Sequence, residues 1–507
     1  MYKAFHKFKP VGYEELIRRY ELVVMPHHIA SFVTEGMGRR QTVIDGHRRK
    51  EIYPRTYFPG DGLGDHLTFA LKHEGVNLEI LRAVFQHASS DALEDIVQQS
   101  PTGKYVRQIW FFYEFLTGKE LRVAALKIGN YVDVLDENLY FTAAKQPVPR
   151  QRVYNNLLGD PSFCPLVRKT DLLKRYVEVD FRKRTNELVG RYPEEVLHRA
   201  VSYLFTKETK SSFEIERATP DQKRAATFVE LLKSAEETNY FTKENIIALQ
   251  HAVVDSRFAN DDFRKTQNYV GQSLGFGREI VHFISPRPED LPSLMEGMFS
   301  CHQRMMTSGV HPVVLAAVVA FGFVFMHPFD DGNGRIHRFL IHNILAANKF
   351  TPEGMIFPVS ATLVQNMKDY DHTLELFSKP LLPLIDYELN DIGEMTVKND
   401  TSLYYRHIDM TAIVEKMFGF IEITIEKELV SELELLSNYE RAKSSMREIV
   451  DMPDRLVDLF MRICRDNGGK VSANKRNSLF ATLTDEEVAA MEECIRNSFG
   501  LTRPSQE

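Results

Sequence analysis

The sequence is poor in cysteine and contains no hydrophobic run long enough to cross a membrane. The four cysteines among its 507 residues lie far apart and form no CxxC pair, which is typical of reduced structural thiols. The uncharged stretch PVVLAAVVAFGFVFM over 312–326 is shorter than the ~20 residues of a membrane-spanning helix. The N-terminus carries no apolar segment of the secretory type. These absences predict a cytoplasmic protein that does not enter the membrane.

The composition is that of an ordinary globular protein. Hydrophobic residues make up 43% of the chain, charged residues make up 26%, and the net charge is -7, which excludes a nucleic-acid-binding polycation. A chain of this length has room for about three domains. We predict a mainly α fold with an N-terminal helical region (1–200), a core (201–400), a long helix (401–450) and a C-terminal unit (451–507).

Helical patterns dominate the chain. The segment 101–118 opens on Pro and closes on Gly, and it includes the one tryptophan, Trp110. Residues 412–450 show an apolar stripe, which packs internally or forms the seam of a homodimer. The members of this stripe are Met417, Phe418, Ile421, Ile425, Leu429, Leu433 and Leu436.

The last segment, 451–507, predicts three short helices, the third opened by a capping box at Thr484 and Glu487. Three short helices joined by tight turns are typical of a helix-turn-helix or winged-helix unit, which would read DNA. Because this tail is not strongly basic, a helical cap or a protein-docking module is an equal alternative.

Strand signals are few. Two β-prone runs, 269–270 and 280–284, flank a turn that contains glycine, which predicts a hairpin ahead of the densest polar motif in the chain.

That motif is HPFDDGNGRIHR, residues 327–338, directly after the uncharged stretch. Gly332 and Gly334 permit positive φ and lead into a helical pattern, so the turn presents free backbone N–H groups to an anion. Arg335 and Arg338 lie three residues apart on that helix, and guanidinium groups match phosphate oxygens. The motif therefore predicts a polyphosphate site.

Two further residues of the motif supply the chemistry that such a site needs. A polyphosphate usually binds with Mg²⁺, which takes one or two carboxylates besides the phosphates, and Asp331 lies directly before the glycine turn. His327 ends the apolar helix, where a neutral imidazole can remove a proton from an incoming hydroxyl. Base, metal carboxylate and phosphate cradle together indicate phosphoryl-type chemistry.

The stretch resembles the HxFx[D/E]GNGRxxR motif of the Fic (filamentation induced by cAMP) family. His327, Phe329, Asp331, Asn333 and Arg338 match it, as do Gly332, Gly334 and Arg335. The resemblance implies a helical Fic core with a small β-hairpin flap, next to an N-terminal helical regulatory region and a C-terminal winged-helix-like unit. It also implies transfer of AMP from ATP to a Tyr, Thr or Ser hydroxyl of a target protein, and of the enzyme itself.

The resemblance assigns roles to individual residues. Asn333 and the loop amides would grip the α- and β-phosphates, and Arg335 with Arg338 would hold the β/γ end. Tyr370 would border the adenine. The hairpin would be the flap that docks the target segment, through Ile280, Val281, His282 and Phe283.

Many Fic proteins are inhibited by a helix with the pattern [S/T]xxxE[G/N], and Ser31, Glu35 and Gly36 match it. The resemblance therefore implies an inhibitory helix at about 27–37, in which Glu35 pairs with Arg338 and misaligns ATP.

Three alternatives remain open. The enzyme could remove AMP, with Glu35 positioning a water molecule, or it could transfer another nucleotide group. In the third, the chain is a nucleotide-sensing regulator that binds DNA through its C-terminal unit.

Overall fold

Helices form most of the chain in the computed structural model, which describes residues 8–36, 38–45, 48–273 and 279–501. The predicted mainly α class is confirmed, and the small sheets lie in the N-terminal region and beside the central helices. Within these described ranges, no helix is both long enough and apolar enough to cross a membrane.

The N-terminal region contains more strand than the sequence predicted. Four strands form a sheet in the order β1-β2-β4-β3, with β2 parallel to β4 and the other pairs antiparallel. The strands are β1 (Phe8–Val11), β2 (Ile29–Thr34), β3 (Gln41–Asp45) and β4 (Arg48–Tyr53). The prediction of a helix at about 27–37 is wrong, because Ile29 and Val33 are buried in a strand that pairs on both edges.

Five helices pack behind this sheet around the fully buried Trp110. They are α1 (Tyr13–Arg19), α2 (Leu63–His73), α3 (Leu78–His87), α4 (Ser90–Gln99) and α5 (Lys104–Thr117). A small sheet in the order β5-β7-β6 follows, formed by β5 (Val132–Asp133), β6 (Gln146–Val148) and β7 (Val153–Asn155).

The central part of the chain is a helical assembly around α12, in which every side chain from 313 to 326 is buried. Its helices are α6 (Asp171–Glu178), α7 (Phe181–Val189), α8 (Glu194–Ile215), α9 (Gln222–Lys233), α10 (Lys243–Val253), α11 (Leu291–Thr307), α12 (Pro312–Met326), α13 (Asn333–Ala347), α14 (Val359–Gln365) and α15 (Met367–Leu381). Two antiparallel hairpins lie beside them: β8 (Tyr269–Ser273) with β9 (Glu279–Ile284), and β10 (Tyr387–Leu389) with β11 (Met395–Val397).

After the short helix α16 (Ser402–Arg406), one long helix runs without interruption. It consists of α17 (Thr411–Ile423), a π-helical segment (Thr424–Leu429) and α18 (Val430–Ile449). The apolar stripe packs internally, since Met417, Phe418, Ile425 and Leu433 are buried in the same cluster as α12. No dimer seam is needed to cover it.

The C-terminal unit has its own hydrophobic cluster, formed by residues of α18, α19 (Asp454–Asp466) and α21 (Asp485–Phe499). The short helix α20 (Ala473–Leu479) lies outside this cluster, whereas Phe480 and Leu483, which follow it, are part of it. The capping box at Thr484 and Glu487 is confirmed. Between residues 451 and 501, all of which are described, there is no strand, so the winged part of the prediction is wrong. The structure does contain the three predicted helices, joined by tight turns.

Candidate active site

His327 ends α12 in a left-handed conformation, with φ of 47°. Its Nδ1 lies 3.2 Å from the carbonyl oxygen of Val324, and because a carbonyl only accepts, Nδ1 carries the proton. Burial lowers the pKa of His327 to about 4, more than that hydrogen bond raises it. The imidazole is therefore neutral at pH 7, and its unprotonated Nε2 can act as a base.

Asn333 shapes the loop between His327 and α13. Its Oδ1 accepts from the backbone N–H of Phe329 (3.1 Å), and its Nδ2 donates to the carbonyl of Phe329 (2.7 Å). Both ends of the amide are thus used within the protein, which differs from the expectation that Asn333 grips phosphates. Gly332, with φ of 91°, completes the turn, and a Cβ there would lie 2.7 Å from Cγ1 of Val254.

Asp331 is the acidic residue of the loop that is available to a metal ion. Its side chain is 54% exposed, and its recorded contacts, with the Gly332 N–H (2.6 Å) and Arg335 (2.6 Å), both use Oδ1. Among the described residues, no group of three or more His, Cys, Asp or Glu residues forms a metal site. The residues present therefore fit a Mg²⁺ held by one carboxylate and by the phosphates of a nucleotide, not an all-protein cage.

The two motif arginines are buried and held in place. Arg335 is 5% exposed, donates to the carbonyl of Val253 (2.8 Å) and pairs with Asp331. Arg338 is 1% exposed, and its Nη1 has no partner within the protein. A buried guanidinium nitrogen without a partner fits an anion site at the first turn of α13.

The acidic partner of Arg338 is Glu216, not Glu35. Glu216 lies directly after α8, and its Oε1 is 2.9 Å from Nη2 of Arg338. Ser212 of the same helix accepts from Arg338 through its hydroxyl (3.0 Å) and its carbonyl (2.6 Å). Residues at the C-terminal end of α8 thus bind the guanidinium group of Arg338, which was expected to hold the β/γ phosphates.

The predicted Glu35–Arg338 contact is wrong for a physical reason. Ser31 is fully buried inside β2, paired with β1 and β4, and Glu35 lies exposed in the bend that follows the strand. The segment SFEIER at 212–217 carries the same spacing, Ser212 then Glu216, with Arg217 in place of Gly or Asn. The pattern of a serine four residues before a glutamate thus occurs at both places in the sequence, and the sequence analysis overlooked it at 212–217.

Gly334 leaves space for the contact between Glu216 and Arg338. A Cβ at Gly334 would collide with Oε1 of Glu216 and lie 3.2 Å from Nη1 of Arg338. The second glycine of the motif therefore brings the helix backbone next to the carboxylate that meets Arg338.

Tyr370 lies at this site but inside the protein. It is 4% exposed on α15, and its ring stacks beside His337 at 6.2 Å. Burial raises its pKa to about 12, against the lowering effect of Arg338. Tyr370 interacts with Arg338 inside the protein, and its place at the adenine stays a prediction.

The predicted flap divides into two faces. Ile280 and His282 are exposed, whereas Val281 and Phe283 are buried, with Phe283 packed near Phe325 and Tyr405. Docking of a target by strand pairing with these four residues stays a prediction, in which Val281 and Phe283 contribute backbone groups and not side chains. Alternation along a strand leaves the outer face to Ile280 and His282.

Arg264 is a site residue that the sequence analysis missed. It is 3% exposed, and it connects the loop that begins at His327 with the two residues that follow β9. Its Nε donates to the carbonyl of His327 (2.8 Å), and its Nη2 donates to Ser285 (2.9 Å) and to the carbonyl of Pro286 (2.5 Å). Burial lowers its pKa to about 10. No local pattern distinguishes this arginine from its neighbours in the sequence.

The comparisons with known proteins agree with this geometry. A family model described as the Fic/DOC family matches residues 240–345. The protein adenylyltransferase Fic of Drosophila mojavensis is 31% identical over 139 residues, which are 27% of this chain and 24% of that protein. The protein adenylyltransferase Fic of Aedes aegypti is 29% identical over 223 residues, 43% of this chain and 36% of that protein. The chain thus spans about a quarter to a third of the length of these curated relatives.

Among solved structures, a Fic family protein from Desulfovibrio desulfuricans G20 is 17% identical, with a TM-score of 0.37 over 66% of this chain and 85% of that chain. The sequence match and the geometry of the motif point to the same class: residues 240–345 of this chain are similar to the Fic/DOC family.

Proposed function

We propose that the protein is an adenylyltransferase that transfers AMP from ATP to a Tyr, Thr or Ser hydroxyl of a target protein. The observation that carries this proposal is His327, held neutral with Nε2 as its free ring nitrogen, at one end of a loop whose other end is the anion site at Arg338. The names of the curated relatives support the same reaction.

In this mechanism, Nε2 of His327 takes the proton of the target hydroxyl, whose oxygen attacks the α-phosphorus of ATP. Pyrophosphate leaves, and the N-terminal turn of α13 with Arg335 and Arg338 holds its charge. Mg²⁺ on Asp331 would neutralise charge on the phosphates. Asn333 acts on the loop and not on the nucleotide, by fixing the backbone of Phe329.

We infer that Glu216 inhibits this reaction. Its carboxylate occupies the Arg338 fork, so a nucleotide has to displace it or bind with its terminal phosphate elsewhere. A shift of the α-phosphorus by about 1 Å can lower a rate by roughly 100-fold. Ser212 adds two hydrogen bonds to the same guanidinium, so the inhibitory contact involves the last turn of α8 and not one side chain alone.

The transferred group identifies the reaction. We would incubate the full-length Glu216→Gly variant and a cell lysate with Mg²⁺ and either ATP, GTP or UTP, and then measure the added mass on modified proteins. The proposal predicts the mass of AMP with ATP alone, and none in the Glu216→Gly/His327→Ala double variant. Addition of UMP, GMP or a phosphate would identify a different transferase, and removal of AMP from a pre-modified target would identify the reverse enzyme.

A further inference from the structure

The helix that carries Glu216 is held on two sides by polar contacts. On one side, Glu208 of α8 is fully buried, accepts from the backbone N–H of Ser360 of α14 (2.9 Å) and lies 2.8 Å from Nε2 of His342 of α13. These contacts place α8 against α14 and against the helix of the HPFDDGNGRIHR motif, so this side belongs to the central helical assembly.

The other side of α8 faces the long helix. Lys207 lies between two carboxylates of that helix, Glu428 (3.0 Å) and Glu432, whose side chains are 7% and 8% exposed. Two carboxylates this close and this shielded from water repel each other unless a cation lies between them. The ammonium group of Lys207 is therefore what allows α8 and the long helix to pack here.

This contact falls on an irregular part of the long helix. Glu428 belongs to the π-helical segment Thr424–Leu429, whose first residue donates its hydroxyl to the Phe420 carbonyl (2.7 Å) and shares a hydrogen bond with Thr362 of α14 (2.7 Å). π-Helical turns inside longer helices are strained and frequently occur at functional sites. The long helix is thus irregular where it holds α8.

The long helix also joins two hydrophobic clusters. Leu429 and Leu433 are buried in the cluster of α12, whereas Ala442 and Met446 are buried in the cluster of the C-terminal unit. Arg199, near the start of α8, pairs with Glu440 between these two groups. The C-terminal unit and the Lys207 contact are therefore connected by one continuous helix.

We propose that the long helix regulates the Fic site by holding α8, through Lys207, in the position that places Glu216 on Arg338. This regulation rests on the proposed inhibition by Glu216. Lys207 lies nine residues before Glu216, which is about 14 Å along a helix. When the long helix shifts, it no longer holds the last turn of α8 in place. Glu216 then separates from Arg338, and the guanidinium group becomes available to the phosphates of ATP.

The test compares two lysines of the same helix in the full-length protein. Lys207→Met removes the cation between the two carboxylates, and Lys210→Met, one turn further at an exposed position, is the matched control. AMP incorporation from labelled ATP is expected to rise at least about fivefold in Lys207→Met, the lower end of typical coupling between sites. Lys210→Met should equal the wild type, and Glu216→Gly defines the maximum.

A second variant and a second measurement keep the result interpretable. If Lys207→Met does not fold, Glu428→Gln/Glu432→Gln removes the carboxylates instead and should give the same rise. Hydrogen exchange of peptides covering 205–217 measures the release of α8 without any activity, and it should be faster in either variant than in Lys210→Met.

Each outcome is decisive. Wild-type activity and exchange in both variants, beside an active Glu216→Gly, would overturn the regulation and leave the proposed function intact. An inactive Glu216→Gly would overturn the proposed function, and the exchange of 205–217 would then still decide whether Lys207 holds α8.

Discussion

Glu216 and Arg338 form an ion pair with a 2.9 Å N–O distance across 122 positions of the chain. The guanidinium is almost fully buried, whereas the carboxylate side chain is 38% exposed. The pair therefore lies at the mouth of the site, where a nucleotide can compete for the arginine. The following predictions concern the two residues, the helix that brings them together and the loop beside them.

The end of α8 is strained at Arg217, which follows Glu216 with φ of 53°. A left-handed conformation costs a residue with a side chain about 1–2 kcal/mol, and glycine loses about 0.5–1 kcal/mol more entropy on folding. Arg217→Gly is therefore expected to raise the free energy of unfolding slightly, by about 0.5–1 kcal/mol. Urea denaturation measures this free energy of unfolding. The control is Glu214→Gly in the same helix, which should be destabilised. A loss of stability in Arg217→Gly would show that the arginine side chain contributes more than the strain costs.

Arg264 is predicted to be a positioning residue. In Arg264→Lys, one ammonium group cannot span the carbonyls of His327 and Pro286, so we expect the free energy of unfolding to fall by about 1–3 kcal/mol. In the Glu216→Gly background, kcat for AMP transfer should fall by roughly tenfold, because His327 is less well placed. The KM for ATP should change little, since Arg264 does not touch the phosphate cradle.

The control for Arg264 is Arg257→Lys, a nearby arginine whose side chain is 77% exposed and which pairs with Asp255. It should leave both kcat and stability unchanged. A KM that rises as much as kcat falls in Arg264→Lys would instead place that residue in nucleotide binding.

Asn333→Asp tests whether this amide shapes the loop. The substitution replaces the Nδ2 donor by an oxygen that faces the carbonyl of Phe329, so one buried hydrogen bond becomes a repulsion. The free energy of unfolding should fall by about 1–3 kcal/mol. Thermal unfolding of the variant without nucleotide measures this. Unchanged stability, with weaker ATP binding, would return Asn333 to the phosphate-binding role that the family resemblance implies.

The pH dependence follows from the pKa of His327, which burial lowers from 6.5 to about 4. A base must be unprotonated, so His327 should stay competent from pH 7.5 down to pH 5.5. For an imidazole with a pKa of 6.5, the neutral fraction would be about tenfold lower at pH 5.5 than at pH 7.5. Rates of AMP transfer by Glu216→Gly at saturating ATP and Mg²⁺ measure this, and a tenfold fall by pH 5.5 would contradict the lowered pKa.

The lowered pKa of His327 also makes the free energy of unfolding depend on pH. Because the folded pKa lies below the unfolded value, the contribution of neutral His327 to stability is complete above about pH 6.5 and is lost as the pH falls towards 4. His337 should act in the same direction, since burial lowers its pKa to about 3. His327→Gln should therefore unfold with a shallower dependence on pH between 6.5 and 4 than the wild type.

The parts of the site that depend on local sequence were predictable. His327, Asp331 and Arg338 lie within twelve residues, and their order fixes a helix end, a glycine turn and a helix start. The two faces of the flap were also predictable, because alternation in a strand separates Ile280 from Val281.

The ion pair between Glu216 and Arg338 could not be singled out from the sequence, because it joins residues far apart in the chain. Two segments carry a serine and a glutamate at the right spacing, and the one at Ser31 matches the family pattern better, since Gly36 follows it. The choice depends on tertiary structure: Ser31 lies in a paired strand, whereas Ser212 lies in the helix that packs against α13. Arg217 adopts the left-handed conformation that Gly or Asn, the residues of the family pattern, adopt at lower cost.

The most direct test of the account is AMP incorporation by the purified full-length protein with ATP and Mg²⁺, compared between Glu216→Gly and Glu35→Gly. Glu214→Gly controls for a glycine near the end of α8. The account predicts that Glu216→Gly incorporates AMP at least roughly tenfold faster than the wild type, which corresponds to ~1.4 kcal/mol. Glu35→Gly should equal the wild type, and Glu214→Gly, which keeps the carboxylate of Glu216, should stay well below Glu216→Gly. Activation by Glu35→Gly, with Glu216→Gly remaining at the wild-type level, would contradict it.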